Sequence, residues 1–102
     1  MYTFIRTDLP FHQQIIQSAH SALEAGRHLA TPTTISHLVL LSADSEAELL
    51  EIAQYIDARG IKFHLFFEPD NSMGYTSLTT EPIAKNQRKI FNHFKLYKGE
   101  TK

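Results

Sequence analysis

At 102 residues and 42 % apolar, the chain is sized for a single domain, residues 1–102, with one modest core, and its formal net charge of −1 argues against a generally basic nucleic-acid binder. Zero cysteines exclude disulfides and thiolate metal sites and fit a cytoplasmic protein. No long apolar run offers a membrane span, and the Met-Tyr-Thr-Phe-Ile-Arg start lacks the charged and apolar regions of a signal peptide, so no membrane partner is expected.

Tyr2–Arg6 is β-prone. Asp8 is an expected N-cap and Pro10 suits the first turn of the helix that follows, about Pro10 to Ala25, which Gly26 should stop. On that helix Phe11, Ile15, Ile16, Ala19, Ala22 and Leu23 form one apolar arc, with Gln13, Gln17, His20 and Glu24 on another side. Its small residues Ser18, Ala19, Ser21 and Ala22 allow a close neighbour. Residues 27–34 read as a linker. His37–Leu41 is a nearly continuous apolar run, which fits a strand beginning near Ser36 and buried on both faces. Ser45 and Glu48 have capping-box spacing, and Leu49, Ile52, Ala53 and Ile56 recur at helical period up to Gly60. Ile61–Phe67 is a third strand and Tyr75–Thr80 a fourth, joined by the turn-rich loop Glu68–Gly74. Pro82 opens a last helix with an apolar stripe of Ile83, Ile90, Phe91, Phe94 and Tyr97.

The order β-α-β-α-β-β-α predicts an α/β fold, with a four-stranded mixed sheet and helices on both faces. The short Glu68–Gly74 connection makes the last strand antiparallel to the third. Charge is uneven along the chain. Residues 82–102 hold Lys85, Arg88, Lys89, Lys95, Lys98 and Lys102 against Glu100 alone, while residues 44–57 hold five acidic residues and no basic one. A basic last helix with Lys85, Arg88 and Lys89 at its start is suited to meet phosphate. The ordinary alternative is a solvated helix face.

Arg6-Thr7-Asp8-Leu9, followed by a helix bearing Gln17-Ser18-Ala19-His20-Ser21-Ala22-Leu23, resembles the start of the type-two peptidyl-tRNA hydrolases. In that family the strand ends R-x-D-L and the helix carries Q-C-x-H-A-A. Glu46-Ala47-Glu48-Leu49-Leu50 is similar to the family's second helix. Phe67-Glu68-Pro69-Asp70 leading to Gly74-Tyr75-Thr76-Ser77 is similar to its aspartate-led loop and G-T-x-T strand. The resemblance implies cleavage of the ester between a peptide and tRNA, with no cofactor, by a homodimer. Two features depart from the family. The turn Pro10-Phe11-His12-Gln13 is shorter and lacks the family's lysine, and the Glu68–Met73 loop lacks its arginine. A non-catalytic RNA- or protein-binding module on the same fold is the alternative.

No Walker A, G-x-G-x-x-G, H-E-x-x-H or G-x-S-x-G motif is present. His12, His20, His28, His37, His64 and His93 are scattered without i, i+4 spacing, so no metal site is expected. Ester hydrolysis needs an activated water, a stabilised oxyanion and held phosphates. Asp70 or Glu68 is the candidate carboxylate, with neither singled out. His20 is the candidate acid or base. Gln17, Thr76 or backbone N–H groups are candidates for the oxyanion, and Asp8, His12, Gln17, Lys85, Arg88 and Lys89 for substrate binding. The plainer roles are a helix histidine bonded to the Asp8 turn for His20, and turn formation for Glu68 and Asp70.

Overall fold

A computed structural model describes residues 1–29 and 37–99. The expected strand start near Ser36, most of the 27–34 linker, and Glu100 and Lys102 lie outside the described residues. The elements are β1 (Tyr2–Arg6), α1 (Phe11–His28), β2 (Val39–Ala43), α2 (Glu46–Asp57), β3 (Phe63–Glu68), a 3-10 turn (Asp70–Ser72), β4 (Gly74–Thr80) and a 3-10 run (Lys85–Phe91). The sheet order is β2-β1-β4-β3. β1 and β2 are parallel, and β4 is antiparallel to both β1 and β3. The α/β class and the mixed four-stranded sheet are as expected. β1 and β3 therefore run the same way, and their C-terminal ends share one edge of the sheet.

The two faces of the sheet differ in chemistry. Phe4 and Leu78 point to the α2 side, where Leu49, Ile52, Ala53 and Ile56 meet them together with Leu41 and Phe91. α2 begins as its sequence dictates. Ser45 Oγ accepts from Glu48 N at 3.1 Å, and Glu48 Oε1 accepts from Asp44 N at 3.0 Å. The other face presents Thr3, Ile5, Ser77 and Thr79, and α1 lies on it with Gln14, Gln17, Ser21 and Ala25 buried.

Helix one thus sits the other way round from an ordinary amphipathic helix. Its polar side faces the sheet, while Phe11, Ile15, Ile16 and Leu23 are exposed. The reason is the hydroxyl lawn beneath it, whose donors and acceptors require polar partners once water is excluded. α1 runs beyond Gly26 to His28, whose ring stacks on His64 of β3. Asp8 is not its N-cap. Pro10 occupies that position without a side-chain bond, and its carbonyl accepts from Gln13 and Gln14 N at 2.9 and 3.1 Å.

Two further expectations are corrected. The strand expected over His37–Leu41 is Val39–Ala43 and lies at the sheet margin, with Leu38 exposed. Its outer edge is covered by the C-terminal segment: Ser42 N donates to Lys95 O and Tyr97 N to Leu40 O, both at 2.9 Å. The last helix is a seven-residue 3-10 run and not an α-helix. Between Ile83 and Ile90 no apolar residue recurs at helical spacing to pin a longer helix.

Phe4 is fully buried and meets Phe94 edge-on at 5.0 Å between ring centroids. Phe4→Ala is expected to lower unfolding free energy by about 3–5 kcal/mol. A urea titration that leaves the midpoint unchanged would refute this assignment of the core.

Candidate active site

The seam between α1 and the sheet is built around Gln17, which is 1 % exposed. Its Oε1 accepts from Thr76 Oγ1 at 2.8 Å. Its Nε2 donates to Glu68 Oε1 at 3.0 Å and to Gln13 Oε1 at 3.2 Å. Its backbone carbonyl accepts from Ser77 Oγ at 2.9 Å. One turn further on, Ser21 Oγ, Thr79 Oγ1 and Thr3 Oγ1 form a chain with both links at 2.8 Å.

Thr76 reaches Gln17 because of a β-bulge. Phe66 is opposite Ser77 and Phe67 opposite Tyr75, so Thr76 is the extra residue in β4. Simple alternation would place Thr76 with Leu78 on the α2 side. The bulge turns it to α1 and sends Tyr75 to the apolar core. The turn before β4 is clamped from two sides. Arg6 donates from Nη1 to the carbonyls of Met73 at 2.6 Å and Tyr75 at 3.0 Å. Its Nε and Nη2 pair with both Asp8 carboxylate oxygens at 2.9 and 2.8 Å. The hydrogen bond that Arg6 donates to the Asp8 carboxylate raises the guanidinium pKa above its usual value, against a smaller opposing effect of burial. From the other side Glu46 Oε2 accepts from Tyr75 N at 2.8 Å. Gly74 has φ +74°, which favours glycine, and a Cβ there would push the Glu46 carboxylate off its bond to Tyr75 N.

α1 also covers the edge strand β3 in three rows. Gln17 meets Glu68, His20 stacks on Phe66 at 5.0 Å and 10°, and His28 stacks on His64 at 5.4 Å and 15°. Glu68 is half-buried and ends β3 at the edge where the Asp8 turn also lies. His20 is exposed on one side.

The structure thus brings together Gln17, Glu68 and Thr76, with His20 one row along. It does not gather the other candidates. Thr76 is fully buried, with its hydroxyl spent on Gln17. Asp8 is paired with Arg6, where it fixes the turn. His20 stacks on Phe66 and makes no bond to the Asp8 turn among the described hydrogen bonds. His12 is exposed on α1, and Asp70 is exposed on the 3-10 turn, its backbone N 3.5 Å from Glu68 Oε2. Lys85, Arg88 and Lys89 lie at the other end of the sheet, where Arg88 shares a groove with Met1, Tyr2 and His37. A strand length, roughly 17–20 Å, separates them from Glu68. Three further surface grooves, among them one of about 340 Å³ between α2 and the Phe94–Lys95 segment, are lined by other residues. Among the described residues no group of three or more His, Asp or Glu side chains is placed to hold a metal. None of the described helices is long and apolar enough to cross a membrane.

Sequence reasoning missed Gln13, the Arg6 clamp and Glu46. The Gly74 position and the acidic first turn of α2 were the available signals for the last of these.

No family model matches the chain, and no curated protein matches it. Thirteen chains among solved structures do. One is a protein of unknown function from Agrobacterium tumefaciens, 18 % identical, with a TM-score of 0.62 over 95 % of this chain and 96 % of that one. The similarity is one of fold: this arrangement of four strands and two α-helices occurs in another protein.

Replacing Gln17 by Leu strands the Thr76 hydroxyl and removes a partner of Glu68. Gln17→Leu is expected to cost about 1–3 kcal/mol. Gln54→Leu, on the exposed side of α2, should stay within about 0.5 kcal/mol. Equal denaturation midpoints for the two variants would contradict the seam's role.

Proposed function

We propose that the chain is a peptidyl-tRNA hydrolase-like protein that cleaves an ester between an acyl group and a tRNA-like alcohol, and that it works as a homodimer. The observation that supports this most is the convergence of Gln17, Glu68 and Thr76 from three separate elements, since Gln17 matches the family's helix-one motif and Glu68 and Thr76 lie in the loop and strand segments that resemble the family's. Between the two candidate carboxylates, contact with Gln17 favours Glu68 over Asp70.

In this reading Thr76 orients the Gln17 amide, and Gln17 holds one oxygen of Glu68, so both are positioning residues. The second oxygen of Glu68 takes a proton from water. The resulting hydroxide attacks the ester carbonyl, and as the tetrahedral intermediate collapses the carbon–oxygen bond to the alcohol breaks. His20 gives that alcohol oxygen its proton. Glu68 and Phe66 are two residues apart on one strand face, about 7 Å along the backbone, so the carboxylate and the imidazole stacked on Phe66 lie in neighbouring rows. Lys85, Arg88 and Lys89 are left out of this site, because they lie at the far end of the sheet and the 3-10 run offers no α-helical N-terminus to phosphate.

The second reading is a binding module without catalysis. It is favoured by the full burial of Thr76 and by the use of both Gln17 amide atoms inside the fold. Release of free tRNA from a peptidyl-tRNA separates the two readings. Wild type should cleave, Glu68→Gln and His20→Ala should each slow turnover by about 10²–10⁴-fold, and Asp70→Asn should stay near wild type. Absence of cleavage at high enzyme concentration ends the hydrolase reading in favour of the module.

A further inference from the structure

We propose that the groove between α2 and the Phe94–Lys95 segment is a binding site for a small primary amine, one protonated ammonium carried on a flat apolar body. The groove lies on the α2 side of the sheet, away from the Gln17–Glu68 seam, and the proposal does not rest on the hydrolase reading.

The groove has one acidic wall and one aromatic wall. α2 contributes Glu48, Glu51, Ile52 and Tyr55. They recur at i, i+3, i+4 and i+7, which puts them on one helix face. Across from them stand His93 and Phe94, with ring centroids 4.0 Å apart. Tyr55 meets these two rings at steep angles, with centroids 5.3 and 5.5 Å away, and its Oη donates to Ile90 O at 3.1 Å. The three rings therefore hold one another in place before any ligand arrives, which lowers the ordering cost of binding. The volume of about 340 Å³ suits a small molecule.

The carboxylates are arranged for a cation. Glu48 Oε1 accepts from Asp44 N at 3.0 Å, and its other oxygen has no partner among the described hydrogen bonds. Glu51 is exposed and has no partner among the described ion pairs. Two like charges one turn apart on a helix repel. An ammonium has three donors and no acceptor, so it can be shared between both carboxylates and relieve that repulsion.

The chain already holds cations at both ends of this helix face. Toward the start of α2, Lys95 Nζ donates to Asp44 Oδ1 at 2.7 Å. That bond, with the charges of Asp44 and Glu48 adding to it, raises the Lys95 ammonium above its usual pKa against an opposing effect of burial. Past the end of α2, the Arg59 guanidinium carbon lies 3.4 Å from the centre of the Tyr55 ring. The stretch between them, with Glu51 at its middle, has no such cation of its own. Lys95 is the one lysine or arginine lining the groove, and its charge is spent on Asp44. An anion would face both carboxylates there, and a neutral apolar molecule would leave them unmet. A cation with a flat apolar body meets the acidic wall with one end and the rings with the other. The acidic run over residues 44–57, which has no basic residue, thereby acquires a use.

The probe is 2-phenylethylamine at pH 7, titrated to about 5 mM while backbone amide shifts are followed by NMR. Saturable shifts confined to residues 48–55 and 93–95, with a Kd below about 1 mM, are expected. 3-Phenylpropionate, an anion of similar shape, and 2-phenylethanol, its neutral counterpart, should bind at least about tenfold more weakly, as should methylammonium, which lacks the apolar body. Glu51→Gln should weaken 2-phenylethylamine about five- to tenfold. Glu51 is exposed and touches no part of the described core, so this variant should keep the wild-type circular dichroism spectrum. Asp57→Asn removes an equal charge from α2 outside the groove and should bind as wild type does. Four results each overturn the proposal: no saturation, shifts scattered over the surface, equal binding of amine and carboxylate, or wild-type affinity in Glu51→Gln. Tighter binding of Nα-acetyl-lysine amide than of 2-phenylethylamine would also overturn it, by making the occupant a lysine side chain of another protein. Because none of these readouts measures tRNA release, failure here is distinguishable from failure of the hydrolase reading.

Discussion

The fold depends on one constraint: the polar groups of α1 and of the sheet beneath it must satisfy one another. Gln17 is 1 % exposed, and Ser21, Thr3, Thr76, Ser77 and Thr79 are at most 1 % exposed. Among the described residues no buried side-chain nitrogen or oxygen lacks a partner. An apolar seam tolerates small slides, because dispersion and burial are nearly non-directional. A hydrogen-bonded seam does not. Shifting α1 by one turn would bring Gln13 or Ser21 to the place of Gln17, and the donor and acceptor of Thr76 and Glu68 would no longer be met together. The seam fixes where α1 sits rather than supplying most of the stability, since each such bond contributes only about 0.5–1.5 kcal/mol net.

The cohesive side of the molecule is the other one. Phe4, Leu41, Leu49, Ile56, Leu78 and Phe91 close a continuous apolar cluster under α2. Tyr2 and Phe91 stack at 4.0 Å, and the C-terminal segment closes over β2, with Tyr97 Oη reaching across to Gln14 Oε1 at 2.7 Å. That last bond ties the apolar layer to the polar one. α1 is thus held mainly by directional bonds on its inner face, while its large apolar residues, Phe11, Ile15, Ile16 and Leu23, stay partly exposed in one chain. A helix with this division gains stability from anything that covers its outer face, by mass action.

Much of this was legible in the sequence, and the failures have physical causes. α2 was readable because its cap, its period and its stop all agree: Ser45 and Glu48, then Leu49, Ile52, Ala53 and Ile56, then Gly60 at φ +74°. The antiparallel β3–β4 pair followed from the short loop between them. The orientation of α1 was not readable from its wheel, because which side faces the sheet depends on Thr3, Ser77 and Thr79, residues far away in sequence that share a face only once β1 and β4 are in register. The same holds for Thr76. A Thr-rich strand announces β structure but not a bulge, and the bulge decides which face receives Thr76. Glu68 and Asp70 were indistinguishable in a turn-rich stretch, and the end of β3 separates them: Glu68 is its last residue, on the face that meets α1, while Asp70 begins the exposed 3-10 turn. The basic residues near Lys85 looked available to any site, because a charge run carries no information about the end of the sheet on which it falls.

The two faces of α1 are separate only in sequence notation. Gln17 belongs to the inner seam, Ala19 to the exposed outer side, and His20 lies between them, stacked on Phe66. A helix turn leaves no slack over four residues, so whatever fixes Gln17 against Thr76 and Glu68 also fixes Ala19 and the side chains around it. The polar seam therefore does two things at once. It positions a carboxylate at the edge where β1 and β3 end, and it presents the stripe from Ile15 to Leu23 as a rigid surface. Rigid presentation lowers the ordering cost of any contact made there, because the helix is already formed and oriented before it meets a partner. Had α1 been packed apolar side inward, the chain would have had a larger core, but neither Glu68 nor the outward stripe would be fixed by the same set of bonds.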